Sequence, residues 1–307
     1  FSNSLTAQIN TDSLRTVWLS DSYSDSLRTR AFYDIIWKGY MYSQPDSAFI
    51  LANELIDFGI TQKYPTAEAI GYNLQGVSKH LEGEYASALA LYDRSLTVKR
   101  RIGDDAGIAT TLNNIGVIYK YQGDFSRALK YYRQSLEISK KVEHKLGMAN
   151  CLNNIGNIYF NELDYSNSLK YHQESLEIAK DIDDQLKIAN SLNNIGNVFH
   201  KQKKYDQALR YYSDCLAIRE NIGDRKGMTN VLNNIGSNYG KQLKHTQSLD
   251  YFFQSLKVRK EMGDQLGIAK SLCSIGETYV ILKDFKKGLE YCLDGYQTAK
   301  SIGAIET

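Results

Sequence analysis

Apolar residues recur along this chain with a helical period, and one arrangement of them returns every 40 residues. Leu112, Ile115 and Tyr119 stand at i, i+3 and i+7, which places them on one helix face. Gly116 lies on the same stripe. The string LNNIG occurs at 112–116, 152–156, 192–196 and 232–236, and LCSIG at 272–276 and YNLQG at 72–76 share its register. A glycine inside a helix costs up to about 1 kcal/mol against alanine. A cost repeated at one register needs a repeated reason, and close approach of a second helix is expected at each of these glycines.

That second helix is visible in the pattern. Ala128, Leu129, Tyr132 and Leu136 fall on one face, and Gly123-Asp124 marks the turn before them. The helix is expected to end near triplets such as Ile102-Gly103-Asp104, Ile222-Gly223-Asp224 and Met262-Gly263-Asp264. There glycine suits a left-handed helix end, and Asp104 or Asp105 suits the cap of the next helix. Ala48, Ala88, Ala128 and Ala208 are multiples of 40 apart, so RAFYDIIWKGYMYS and PDSAFILANELIDFG read as a degenerate first pair, with Pro45 in a first helical turn. The expected fold is all-α, a solenoid of antiparallel helix pairs. Residues 1–28 form a capping segment whose amphipathic stretch is 12–20. Seven units follow at 29–68 (degenerate), 69–108, 109–148, 149–188, 189–228, 229–268 and 269–307. In the last unit Gly288, Cys292 and Gly295 replace alanine, an aromatic residue and serine. This predicts looser packing there, or continuation into further sequence.

These positions resemble the tetratricopeptide repeat, where a large apolar residue, Leu-Gly, Tyr, Ala and an aromatic recur at set offsets. Leu112, Ile115-Gly116, Tyr119, Ala128 and Tyr132 hold those places, and the likeness covers nearly the whole chain. The closing proline is absent and the unit exceeds the usual length of about 34 residues, which implies a longer second helix and link. This form is similar to the repeats of kinesin light chains, of Leu-Gly-Asn-type adaptors, and of bacterial signalling proteins in which such arrays precede a membrane segment and a histidine kinase or nucleotide cyclase. The resemblance implies a right-handed superhelix whose first helices line a concave groove for a peptide. Carried over position by position, the groove residues are Asn113, Asn114, Asn153, Asn154, Asn193, Asn194, Asn233 and Asn234. One turn back lie Asn150, Asn190 and Asn230; one turn on lie Asn157 and Asn197; further along come Lys120, His200, Lys201 and Lys241.

Asparagine costs roughly half a kcal/mol against alanine inside a helix, so pairs in four successive units call for a cause. In one reading, one member of each pair bonds a neighbouring backbone and fixes the angle between repeats. In the other, the amides form a polar ladder. A primary amide both donates and accepts, so it can pair with any peptide backbone. Members of a pair point about 100° apart around the helix, and the readings are compatible. Lys120, Lys201, Lys241 and Lys270 fit either an acidic ligand or a solvated edge. In Tyr131-Tyr132 and Tyr211-Tyr212 the second member lies on the core stripe, and the first faces the convex side.

Composition narrows the partners. Of 307 residues, 42% are hydrophobic, 23% are charged and only 2 are proline, which favours an uninterrupted helical fold. The net charge of +2 and the lack of any Lys/Arg cluster argue against nucleic acid as a partner. No apolar run reaches the roughly 18 residues of a membrane span. Cys151, Cys215, Cys273 and Cys292 show no CxxC spacing and read as small helix residues. The five histidines are scattered, and no zinc, P-loop, dinucleotide or nucleophile-elbow motif is present. The chain is expected to be non-enzymatic, with no cofactor and no metal. Its expected partner is a protein or peptide, with a further copy of itself through solenoid ends that expose Leu289 and Leu293. The chain opens on Phe1, which fits excision from a longer precursor, so two placements stay open: an extracytoplasmic part of a membrane receptor, or the cytoplasm.

Overall fold

The structure, a computed structural model, describes residues 11–304. Among the described residues every regular element is helical. The chain forms two compact units, Phe1–Ile158 and Tyr159–Thr307. The first holds α1 (Thr11–Leu19), α2 (Asp25–Asp34), α3 (Pro45–Thr61), α4 (Pro65–Leu81), α5 (Tyr85–Ile102), α6 (Asp105–Tyr121), α7 (Phe125–Lys141) and most of α8 (Lys145–Asn161). Directly after α2 the chain continues through π-helical turns over Ile35–Tyr40. The second unit holds α9 (Tyr165–Asp181), α10 (Gln185–Lys201), α11 (Tyr205–Asn221), α12 (Arg225–Lys241), α13 (His245–Met262), α14 (Gln265–Ile281) and α15 (Phe285–Ser301). Even-numbered helices from α2 onwards are the first members of successive pairs, and odd-numbered ones from α3 are the second.

From Pro45 onward each helix begins 20 residues after the one before it. The two helices of a pair are nearly equal in length; α6 and α7 each span 17 residues. The link sets this regularity. Each has one residue in the left-handed region: Gly at 83, 103, 123, 223, 263 and 303, and Lys63, Glu143, Leu163, Asp183, Lys203, Leu243 and Lys283 elsewhere. In the Gly123 link, the Gly123 amide donates to Lys120 O at 3.0 Å and the Asp124 amide to Tyr119 O at 2.9 Å. This double bond closes one helix. Asp124 then caps the next, its Oδ1 accepting from the Arg127 amide at 2.9 Å. Asp104, Asp164, Asp184, Asp224, Asp264 and Asp284 repeat that role.

The internal glycines sit where an aromatic ring of the second helix arrives. A Cβ would stand 2.4 Å from the ring of Tyr92 if added at Gly76, and 2.6 Å from that of Tyr132 at Gly116. In the second unit it would stand 2.6 Å from Tyr212 at Gly196 and 2.7 Å from Phe252 at Gly236. In the first pair the sizes are exchanged: Ile36 holds the glycine's register, Ala52 the aromatic's, and both are fully buried. In the last pair small residues bring α14 and α15 to backbone distance. A Cβ at Gly276 would meet Cys292 Sγ at 2.5 Å and Gly288 O at 2.9 Å, and one at Gly295 would meet Ala269 O at 3.1 Å. The last pair is thus closely packed, contrary to the expectation of looseness: its substitutions remove bulk on both sides of one contact.

A second periodic contact recurs in four of the pairs. Ser95 Oγ donates to Ala69 O at 2.8 Å, Ser135 Oγ to Ala109 O at 2.6 Å, Cys215 Sγ to Ala189 O at 3.1 Å and Ser255 Oγ to Thr229 O at 3.1 Å. These buried hydroxyls and the Cys215 thiol satisfy themselves on helix carbonyls without disturbing the core. At the start of the chain Trp18 of α1 stacks on Phe32 with centroids 4.1 Å apart, covering the first pair.

Candidate functional site

Successive first helices lie side by side within each unit, α4 against α6 and α10 against α12. A 40-residue step brings equivalent residues of these neighbours together, and the asparagines meet there. In the first unit Asn114 Nδ2 donates to Asn73 Oδ1 at 3.3 Å, and Asn154 Nδ2 to Asn113 Oδ1 at 3.0 Å. In the second, Asn234 Nδ2 donates to Asn193 Oδ1 at 2.9 Å and to Asn197 Oδ1 at 3.3 Å. The first member of one pair accepts from the second member of the next. The partner is a side-chain amide, where the sequence suggested a backbone. All eight paired asparagines are half-buried, and one rung engages only part of each amide's two donors and two acceptor sites.

The ladder starts and stops visibly. Asn73, which sequence reasoning did not nominate, is its first acceptor; the signal was present in the YNLQG string at the shared register. At the other end Asn233 Oδ1 is buried without a hydrogen bond. The next register position is Ser274, whose hydroxyl donates to its own Lys270 O at 3.2 Å.

The residues one turn back serve a different contact. Arg219 Nη2 donates to Asn190 Oδ1 at 2.7 Å, and Arg259 Nη2 to Asn230 Oδ1 at 3.2 Å. Each arginine is buried at the end of a second helix; Arg219 also pairs with the cap Asp224, and Arg259 bonds Gly267 O. In the first unit Lys99 holds the same register. Its Nζ donates to Thr111 Oγ1 at 2.8 Å and to Gly107 O at 3.2 Å, and Thr111 Oγ1 reaches Asn73 Oδ1 at 3.3 Å. Burial lowers the Lys99 pKa to about 8, against a smaller raising influence of Asp104. These buried cations were missed from sequence, although Lys99, Arg219 and Arg259 lie multiples of 40 apart.

The other nominated positions scatter. Asn197 Oδ1 accepts from Tyr212 Oη at 2.8 Å. His200 Nδ1 pairs with Asn238 Oδ1 at 2.8 Å, and Asn238 Nδ2 donates to Tyr205 O at 3.0 Å. Asn150 and Asn157 are half-buried. The Lys120 ammonium lies 5.0 Å from the Tyr121 ring, and burial lowers its pKa. Lys201 and Lys241 are exposed. Tyr132 and Tyr212 are core residues, while Tyr131 stacks on Tyr119 at 5.4 Å and Tyr211 on Phe199 at 5.3 Å. Cys151 and Cys215 are buried thiols, and burial raises both pKa values, to about 11 for Cys151. Among the described residues no three metal-ligating side chains gather, and no helix is long and apolar enough to cross a membrane.

Paired helices with a 40-residue step, an invariant link and a ring-in-glycine contact define a helical-repeat protein. The tetratricopeptide repeat family profile matches residues 67–141 and 147–221. The chain is a tetratricopeptide repeat protein, of a class that serves protein and peptide interaction. No curated protein matches it. Among solved structures it is similar to a Rap protein complexed with competence and sporulation factor, at 14% identity and TM-score 0.63, covering 96% of this chain and 94% of that one. It is similar to aspartyl phosphate phosphatase F from Bacillus subtilis at 16% identity and TM-score 0.62, covering 95% and 85%. A third likeness is to a signal transduction ATPase with a tetratricopeptide repeat sensor from Pyrococcus horikoshii, at 14% identity and TM-score 0.62, covering 95% of this chain and 45% of that one. At these identities the likeness carries the fold.

Proposed function

We propose that this chain is a non-enzymatic module that holds an extended polypeptide along the first-helix face, against the paired asparagines. The carrying observation is that the Asn154-to-Asn113 rung engages one N–H donor of Asn154 and the Oδ1 acceptor of Asn113. These two amides therefore keep hydrogen-bonding capacity at a half-buried surface, indifferent to the ligand's side chains. The Rap protein solved with competence and sporulation factor supports a binding role for this architecture. The test is panning of a displayed library of unstructured dodecapeptides. Replacing Asn153, Asn154, Asn193 and Asn194 by alanine is expected to abolish capture while helicity by circular dichroism is retained. Undiminished capture would sink the reading.

A second reading makes the array the sensory or dimerising region of a larger bacterial signal-transduction protein, a histidine kinase or nucleotide cyclase. The sensor role named for the Pyrococcus horikoshii ATPase, of which this chain spans less than half, supports it. The full-length gene decides: a kinase or cyclase domain in the same reading frame establishes it, and its lack refutes it.

A further inference from the structure

In the second unit the links alternate between two edges of the array, because successive helices run antiparallel. One edge gathers the links from first to second helices, at 161–167, 201–207, 241–247 and 281–287. The other gathers those from second to first, at 181–187, 221–227 and 261–267. Their charges are opposed. The first edge carries eight lysines against four carboxylates, and the second carries six carboxylates against three cations. A chain whose net charge is only +2 therefore presents one distinctly basic edge. The corresponding links of the first unit, at 81–87 and 121–127, carry three carboxylates against one arginine, so the basic edge belongs to the second unit.

Most of these lysines lack a counter-charge. Among the described residues only Lys287 of the eight is held in an ion pair, to Asp284 at 3.2 Å. Lys204 and Lys244 rest over the rings of Phe199 and Tyr239 at 5.8 and 5.9 Å, and Lys244 also donates to Gln242 Oε1 at 2.8 Å. The tips of the links are unusual too. The left-handed position is held by Gly83 and Gly123 in the first unit, but by Leu163, Lys203, Leu243 and Lys283 here, with φ between 60° and 64°. A side chain opposes that conformation, and all four are exposed, Leu163 and Leu243 at 69% and 78%. Leucine and lysine thus alternate along one edge at positions where glycine would be easier and no packing rewards a side chain. The last link adds apolar bulk. Ile281 and Leu282 are 61% and 44% exposed and stand where the two preceding links carry Lys201-Gln202 and Lys241-Gln242. Phe285 is 65% exposed where Tyr205 and His245 are half-buried.

We propose that this edge docks on an anionic membrane surface, with its lysines at the lipid phosphates and Leu163, Leu243, Ile281, Leu282 and Phe285 in the headgroup layer. Charge complementarity selects the occupant. Clustered lysines are drawn to an anionic leaflet over about a screening length, and leucine and phenylalanine set among lysines match the boundary between headgroups and acyl chains. An acidic protein would engage the lysines but would leave the leucine tips without a role. The contact is peripheral: no helix among the described residues is long and apolar enough to cross a membrane, so the edge lies on the surface. The inference uses none of the asparagine rungs.

The test is flotation of the full chain with vesicles of phosphatidylcholine alone, and of phosphatidylcholine and phosphatidylglycerol in equal parts. Binding is expected to the anionic vesicles only, and is expected to fall at least about tenfold between about 0.1 M and about 1 M salt as the screening length shrinks. Lys203→Gln, Lys244→Gln, Lys283→Gln and Lys286→Gln together are expected to weaken it at least about a hundredfold, at about fivefold for each charge removed. Leu163→Gly with Leu243→Gly is expected to weaken it about tenfold. Glycine relieves the left-handed backbone at both positions, so that loss cannot come from unfolding. In Phe285→Trp, brominated acyl chains are expected to quench the added emission and to leave Trp18 and Trp37, both in the first unit, unquenched. Equal binding to neutral vesicles, no binding, or quenching of Trp18 or Trp37 instead would overturn the assignment. Poly-glutamate bound as tightly as anionic vesicles, with no effect of the leucine changes, would give the edge to an acidic protein and overturn it as well. The four-asparagine variant is expected to bind vesicles as the wild-type chain does, so the two readings fail separately.

Discussion

Asn154 Nδ2 donates to Asn113 Oδ1 at 3.0 Å, joining residues 41 positions apart on neighbouring first helices. The odd residue in that number matters. A repeat of 40 would place each asparagine beside its own equivalent; the rung instead links the first member of one pair to the second member of the next. Both members are therefore needed, which accounts for the doubled asparagine. The same offset recurs between Asn73 and Asn114, and between Asn193 and Asn234.

The ladder ends on an unpaired acceptor, and extending it is expected to stabilise the fold. Ser274→Asn supplies a donor at the register where Asn234 serves Asn193. Satisfying the buried Asn233 Oδ1 is expected to add about 1 kcal/mol to unfolding free energy in urea. A loss of stability would show that the final rung cannot form.

Gly116 and Tyr132 leave no room for a methyl group. Gly116→Ala places its Cβ 2.6 Å from the ring and is expected to destabilise by about 1 to 3 kcal/mol, despite alanine's better helix propensity. Adding Tyr132→Leu is expected to recover part of that loss, as the Ile36 and Ala52 exchange does naturally. A neutral Gly116→Ala variant would contradict the packing.

The links offer the opposite case. Leu163 and Leu243 have φ of 62° and 61° and are 69% and 78% exposed. A side chain there opposes the left-handed backbone by about 1 to 2 kcal/mol, partly offset by glycine's greater entropy loss. Leu163→Gly and Leu243→Gly are each expected to raise stability by about 0.5 to 1 kcal/mol, read from denaturant midpoints. A decrease would mean that the leucines make contacts their exposure does not reveal.

His172 occupies the register that elsewhere holds Tyr92, Tyr132, Tyr212 and Phe252, and it is fully buried with both ring nitrogens unpaired. Burial lowers its pKa to about 4. The unfolded imidazole, near 6.5, takes up its proton first on acidification. Stability is therefore held above about pH 6.5 and lost as the pH falls towards 4, by about 3 kcal/mol in total. His172→Phe is expected to remove that share of the acid sensitivity, measured as the difference between denaturation at pH 7 and pH 4. An unchanged difference would mean that the imidazole is not desolvated as placed.

The sequence carried the architecture well because it repeats. Gly116, Tyr132, Gly103 and Asp104 could each be ambiguous alone, but a fixed step multiplies one weak signal into several. The features it concealed are those where identity varies within the register. Lys99, Arg219 and Arg259 share a position but not a residue type. Asn73 stands without a second asparagine beside it, and Arg30 differs from every equivalent. The last pair was misjudged for a related reason: Gly288 and Gly295 look like lost packing until Cys292 is seen to face Gly276. Which atoms an asparagine pairs with depends on the rotation between neighbouring helices, and no single-chain pattern encodes that.

The central claim is that the asparagine amides hold a polypeptide as well as each other, and an isosteric change separates the two roles. Asn113→Asp and Asn193→Asp keep the Oδ1 acceptor of each rung but remove the two N–H donors. With a peptide selected on the wild-type chain, calorimetric titration of the double variant is expected to show at least about tenfold weaker binding, with the unfolding midpoint unchanged. Wild-type affinity in that variant would mean that the ladder is structural alone and that the ligand lies elsewhere.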